Sequence, residues 1–162
     1  ELGAVEFEGG LTVAAKLQEQ TGVIGEKIEV AEMATVSAPY VASYIHMGNK
    51  IGTLVGLTAE AAEAGRDVAM QAAAMNPVAL NRDAVPQDVI DRELEVGKDL
   101  ARQEGKPEEM LEKIATGRLN KFFKENTLVD QDFIKDSKLS VSKYLTSVEA
   151  GLAVVDFKRV SL

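Results

Sequence analysis

The sequence predicts an α+β fold, in which an antiparallel β-sheet packs with helices and carries an inserted antiparallel helical hairpin. Two observations favour this class. Two short β-rich runs flank a Gly-containing turn within residues 41–57, and two long amphipathic runs separated by a tight turn occupy residues 89–125. The predicted organisation is a first core part at residues 1–85, the helical hairpin at 86–126 and a return to the core at 127–162.

The chain is predicted to begin with a helix followed by a strand. Residues 11–20 carry apolar side chains at helical spacing, and Thr21-Gly22 closes the run. In residues 27–36, Ile28 and Val30 alternate with charged neighbours, which indicates a strand.

A β-hairpin is predicted next. Residues 41–47 and 51–57 are β-rich, and the segment between them, 48–50, is the short Gly-containing loop that a hairpin uses. Gly52 and Gly56 lie inside the second strand and indicate a bulge or a close backbone approach.

An Ala-rich helix is predicted over residues 59–75. Alanine has the best helix propensity, and its small side chain lets the helix lie close to a sheet. Asn76-Pro77 ends the run, because the residue before a proline is disfavoured in helical geometry.

The helical hairpin follows from two apolar stripes and the turn between them. Gly105 is expected to end the first helix in the left-handed conformation, and Pro107 suits the first turn of the second. Much of its surface is charged, so we expect it to project from the body. The stripes consist of Val89, Ile90, Leu94, Leu100 and Ala101, and of Leu111, Ile114, Ala115, Leu119 and Phe122.

The last part of the chain is predicted to return to the sheet. Residues 126–138 read as a loop, and Ser140 is a candidate N-cap for a short helix at 140–148. A final strand at 152–160 is expected to join the sheet that the first half begins.

Composition excludes several function classes. The chain has 18 basic and 26 acidic residues, a net charge of −8, which disfavours direct nucleic-acid binding. It has no Cys and no apolar run long enough for a membrane helix, so we expect a cytoplasmic protein with no membrane contact. Because it begins at Glu1 without Met, we expect a fragment or a processed form.

The sequence offers no catalytic residue, cofactor motif or metal site, so we predict that it is not an enzyme. Gly97-Lys98 lacks the other residues of a phosphate-binding loop. Asp130, Asp132 and Asp136 lack the spacing of a calcium loop. His46, the single histidine, has no nucleophile in a recognised motif beside it, which leaves a half-exposed strand end or a partner contact.

Four stretches of the sequence carry a further signal. They are GKPEEMLEKIATGRLNKFFKENTLVDQDFIKD at residues 105–136, RDVAMQAAAMNP at 66–77, YIHMGNKIGTLV at 44–55 and IGEKI at 24–28. Together they resemble elongation factor Ts, the nucleotide-exchange factor for the translation GTPase EF-Tu. They span most of the chain in the family's order, and Gln71 stands where the family usually has His.

The resemblance covers only part of that family's pattern. A small helical N-terminal domain and a Thr-Asp-Phe-Val stretch are expected in the family, and neither is in this sequence. The chain is therefore similar to the C-terminal half of the factor's core, together with the helical hairpin called its dimerisation or coiled-coil domain.

The resemblance implies that this part promotes GDP/GTP exchange by docking on a β-barrel domain of EF-Tu, while an Asp-Phe pair elsewhere wedges near the magnesium site. The implied docking residues are Ile24, Gly25 and His46. Met47 stands where the family usually has Gly, in a loop one residue longer, and Met47 and Gly48 complete the predicted contact. The alternative is a structural self-association module, with the helical hairpin forming a weak homodimer.

Overall fold

The structure is a computed structural model that describes residues 2–162. The chain divides into two compact units, Glu1–Met33 and Ala34–Leu162. The first contains α1, Val13–Ile24. The second contains, in chain order, β1 Tyr40–Ile45, β2 Ile51–Leu57, α2 Ala62–Met75, α3 Gln87–Gln103, α4 Glu108–Asn126, β3 Asp132–Phe133, β4 Asp136–Ser140, α5 Val141–Val148 and β5 Val154–Ser161. Helices packed with an antiparallel sheet confirm the predicted α+β class.

The central sheet has the order β1-β2-β5, with both neighbouring pairs antiparallel. Tyr40 pairs with Leu57 and Ile45 with Gly52, which confirms the predicted β-hairpin. The first strand is shorter than predicted, because it ends at Ile45, and the two residues after it belong to the loop. The pairing of β2 with β5 confirms that the last strand returns to this sheet.

The core lies between this sheet and α2. Val55 and Leu57 of β2 are fully buried in one cluster with Val68 of α2. A side chain at Gly65 would bring its Cβ within 2.7 Å of the Ala42 Cβ atom, so the helix approaches the sheet as closely as small residues allow. The prediction that an Ala-rich helix lies close to the sheet is thus confirmed.

The helical hairpin consists of α3 and α4, packed on each other. A Cβ added at Gly97 would lie 3.1 Å from the Ala115 Cα atom, so the backbones meet at this point. Gly105 has a φ of 74°, which confirms the predicted left-handed end of the first helix. An ion pair joins the two helices at Lys98 and Glu112, with N to O at 3.0 Å.

Residues 27–36 form no strand, which corrects the prediction. The Ile28 N–H donates to a threonine hydroxyl of α1, 3.1 Å away. Farther along, the Val36 and Ala38 side chains lie over Gly56, where an added Cβ would come within 2.8 Å of both. These residues contact the sheet through their side chains and not through backbone hydrogen bonds. The alternation of apolar and charged residues in 27–36 therefore does not lead to a paired strand. The close approach predicted at Gly56 is confirmed.

Residues 126–138 are not simply a loop, which corrects a second prediction. The last turn of α4 reaches Asn126, and β3 with β4 forms a small two-stranded sheet. The local sequence gave no β-rich run there, because the pairing is only a few residues long. Ser140 caps α5 as predicted, since its Oγ accepts from the Lys143 N–H at 3.3 Å.

Candidate functional site

The first predicted contact lies at the C-terminal end of α1. The Gly25 N–H donates to the Thr21 carbonyl oxygen at 2.9 Å, and a φ of 79° places Gly25 in the left-handed region. This cap turns the chain away from the helix axis and satisfies a terminal carbonyl. Ile24 is 57% exposed and Val23 is 74% exposed. The helix therefore ends in two apolar side chains that face water.

The second predicted contact is the tip loop, residues 46–50, which joins β1 to β2. The His46 N–H donates to the Ile51 carbonyl oxygen at 2.8 Å, and the His46 carbonyl accepts from the Asn49 N–H at 3.0 Å. Gly48 has a φ of 88° and Asn49 a φ of 55°. Both residue types tolerate the left-handed region, so the loop closes without strain.

The His46 side chain contacts Tyr44, which lies in the strand that leads into the tip loop. Its Nδ1 atom lies 3.3 Å from the Tyr44 hydroxyl, and the two rings are 6.0 Å apart between centroids. His46 is half-buried, whereas Met47 beside it is 89% exposed. The tip loop thus combines one fixed polar ring with one free apolar side chain.

Sequence reasoning missed one feature of this surface. Ile45 is 68% exposed and immediately precedes the tip loop. Since successive side chains of a strand point to opposite faces, the inward position of Tyr44 would have predicted an outward Ile45. Ile45 and Met47 are thus two exposed large apolar side chains at this end of the β-hairpin.

The predicted site residues lie on two different compact units. Ile24 and Gly25 belong to Glu1–Met33, and the tip loop with His46, Met47 and Gly48 belongs to Ala34–Leu162. Each predicted residue lies at a turn, and in every one of these turns the backbone is hydrogen-bonded.

Across residues 2–162, no group of three or more His, Cys, Asp or Glu side chains is placed to hold a metal ion. In the same part of the chain, no helix has the length and apolar character needed to cross a bilayer. A groove along the helical hairpin has a volume of about 250 Å³ and is lined by both charged and apolar side chains.

Comparison with known proteins gives one consistent family. The family model described as Elongation factor TS matches residues 1–162. The chain belongs to the elongation factor Ts family. Elongation factor Ts of Christiangramia forsetii is 58% identical over 156 residues, covering 94% of this chain and 57% of that protein.

Other relatives carry the same name. Elongation factor Ts of Flavobacterium psychrophilum is 56% identical over 165 residues, covering 100% of this chain and 60% of that protein. That of Thermobifida fusca is 43% identical over 161 residues, covering 96% and 57%. The chain thus spans about three-fifths of the length of these relatives.

Proposed function

We propose that this chain is the part of a translation elongation factor that docks on EF-Tu and thereby promotes GDP/GTP exchange. The observation that carries the proposal is the tip loop: a half-buried His46 fixed by Tyr44 beside a Met47 that is 89% exposed, in a member of the elongation factor Ts family. The proposed contact residues are Ile24, Gly25, His46, Met47 and Gly48.

Physical reasoning supports such a role. A hairpin turn on a packed sheet presents its groups with little freedom to lose, so binding costs less entropy. An exchange factor makes no covalent bond. It lowers the affinity of its partner for GDP by binding more tightly to the state in which the nucleotide pocket is distorted. We therefore propose a binding protein rather than an enzyme, acting in the cytoplasm on a protein surface.

The proposal is tested by titrating EF-Tu with the chain and with single variants. We expect His46→Ala and Met47→Ala each to weaken association by about tenfold, as for central contacts of a protein interface. Met110→Ala is the matched control, because Met110 is 44% exposed but lies on α4 of the helical hairpin. Equal affinities of EF-Tu for all three variants would show that the tip loop does not lie in the interface.

A second measurement tests whether binding to EF-Tu and acceleration of GDP release are carried out by different parts of the factor. We expect residues 1–162 alone to bind EF-Tu weakly and to accelerate GDP release little, because the sequence contains no Thr-Asp-Phe-Val stretch. Full acceleration of GDP release by this chain would contradict the proposed division between docking and wedging.

A self-association module is the second candidate function, and one observation favours it. Val96 is 46% exposed and Leu100 is 40% exposed, both on the groove along the helical hairpin. A weak homodimer through this groove would cover both side chains. Sedimentation of the chain over a concentration series distinguishes the candidates, since a concentration-dependent dimer that does not bind EF-Tu would favour self-association.

A further inference from the structure

Tyr44 is fixed by the core and reaches the tip loop with its hydroxyl. It lies in β1 and packs against the buried cluster beneath the sheet. Its ring is therefore packed on the side that faces the core, and its oxygen lies 3.3 Å from the Nδ1 atom of His46. A side chain whose ring is packed and whose polar end meets another side chain is well suited to hold that neighbour in one orientation.

The backbone of His46 is fixed as well, by its hydrogen bonds to Ile51 and Asn49. What remains free is the rotation of the ring and the choice of tautomer. A neutral imidazole has one N–H donor and one acceptor nitrogen, and the hydrogen bond made at one nitrogen decides the state of the other. The contact of Tyr44 with Nδ1 therefore decides whether the other ring nitrogen of His46, Nε2, is a hydrogen-bond donor or an acceptor.

We propose that Tyr44 is a positioning residue that donates its hydroxyl proton to His46 Nδ1 and so keeps a proton on Nε2. The phenol oxygen shares its electrons with the ring, so its hydroxyl is a better donor than acceptor. His46 then presents an Nε2–H donor, and the partner group it meets is a hydrogen-bond acceptor oxygen. This role for the partner contact rests on the proposed docking on EF-Tu.

The tautomer is measured directly in the free chain by ¹⁵N NMR. His46 is the only histidine, so the imidazole region contains a single pair of nitrogen signals. On the neutral ring we expect an unprotonated Nδ1 and a protonated Nε2. A proton on Nδ1 would overturn the assignment, and this measurement needs neither a variant nor EF-Tu.

Two tyrosine variants test the positioning role. Tyr44→Phe removes only the hydroxyl, and we expect the two nitrogen signals to move toward a mixture of tautomers and the affinity for EF-Tu to fall about five- to tenfold. Tyr40→Phe is the matched control, because Tyr40 lies in the same strand and packs against the same core. We expect it to leave both readouts unchanged.

The outcomes separate the two proposals. If the unaltered chain does not bind EF-Tu, the docking proposal fails, while the nitrogen signals still decide the tautomer. If the unaltered chain binds and Tyr44→Phe matches Tyr40→Phe in affinity and in nitrogen signals, the positioning role is wrong.

Discussion

Gln71 shows how one buried polar residue joins distant parts of the chain. Its Nε2 atom donates to the Asp132 carbonyl oxygen at 2.9 Å and to Gln131 Oε1 at 3.3 Å. Its Oε1 accepts from the Ile134 N–H at 2.9 Å. Gln71 is fully buried, so the polar atoms of its own amide depend on these partners for their hydrogen bonds.

Replacing this amide by an apolar side chain of similar size tests its structural role. We expect Gln71→Met to lower the free energy of unfolding by about 2 kcal/mol, because it leaves buried donors and acceptors unpaired. Gln103→Met is the control: Gln103 is exposed at the end of α3, and we expect a change within about 0.5 kcal/mol. Urea denaturation measures both, and equal losses would contradict the role of the buried amide.

Tyr144 gives the fold a dependence on alkaline pH. Burial raises its pKa to about 12, and the hydrogen bond that it donates to Asp67, at 3.1 Å, adds to the shift. The unfolded phenol ionises near pH 10, so folding favours the protonated form. The stability that this group contributes is complete below about pH 10 and is lost as the pH rises toward about 12.

A phenylalanine at this position isolates that contribution. We expect the free energy of unfolding of Tyr144→Phe to fall less steeply between about pH 10 and about pH 12 than that of the unaltered chain. Urea denaturation at several pH values measures the slope. Identical slopes would show that Tyr144 ionises alike in the folded and unfolded chain.

At the scale of elements, the helical hairpin depends on the close approach of α3 and α4. Gly97 lies opposite Ala115, where an added Cβ would stand 3.1 Å from a backbone atom and 3.2 Å from the Ala115 Cβ. Gly117 lies on α4 with no atom within 4 Å of its added Cβ. Both glycines lie in helices of the helical hairpin, but Gly97 is tightly packed whereas Gly117 has open space around it.

The same substitution at these two glycines is expected to act with opposite sign. Gly117→Ala should raise the free energy of unfolding by about 0.5–1 kcal/mol, because alanine is the better helix former. Gly97→Ala should lower it by about 1 kcal/mol, since the gain in propensity is smaller than the cost of moving α4 away. Thermal unfolding followed by circular dichroism measures both, and a stabilised Gly97→Ala variant would contradict close packing at this point.

At the scale of the whole molecule, residues 26–37 connect the two compact units without forming a helix or strand. The segment carries the exposed Glu26, Glu29 and Glu32. Few of its backbone groups are protected by regular structure, so it can adapt to the active site of a protease.

Limited digestion tests this description of the connection. We expect a glutamate-specific protease to cut first within residues 26–37 and to leave a folded product that contains Ala34–Leu162, because that unit has its own core. Mass spectrometry of the first fragments identifies the cuts. First cuts in the helical hairpin would instead show that α3 and α4 open before the connecting segment is attacked.

The success of the sequence predictions differed between local and long-range features. The helices, the β-hairpin and the ends at Gly105 and Ser140 were predicted, because their signals are local: periodicity, turn residues and caps. Residues 27–36 have the alternation of a strand but no strand pairs with them. The sheet formed by β3 and β4 gave no local signal because its pairing is only a few residues long.

The sequence by itself determined the fold class, the order of the main elements and the family resemblance, since these follow from patterns written into neighbouring residues. Only the tertiary structure decided which groups meet across the chain. It brought Gln71 to Ile134 and the Tyr144 hydroxyl to Asp67. Such contacts depend on how the sheet, α2 and the loops pack together, and packing is a property of distance in space rather than of spacing along the chain.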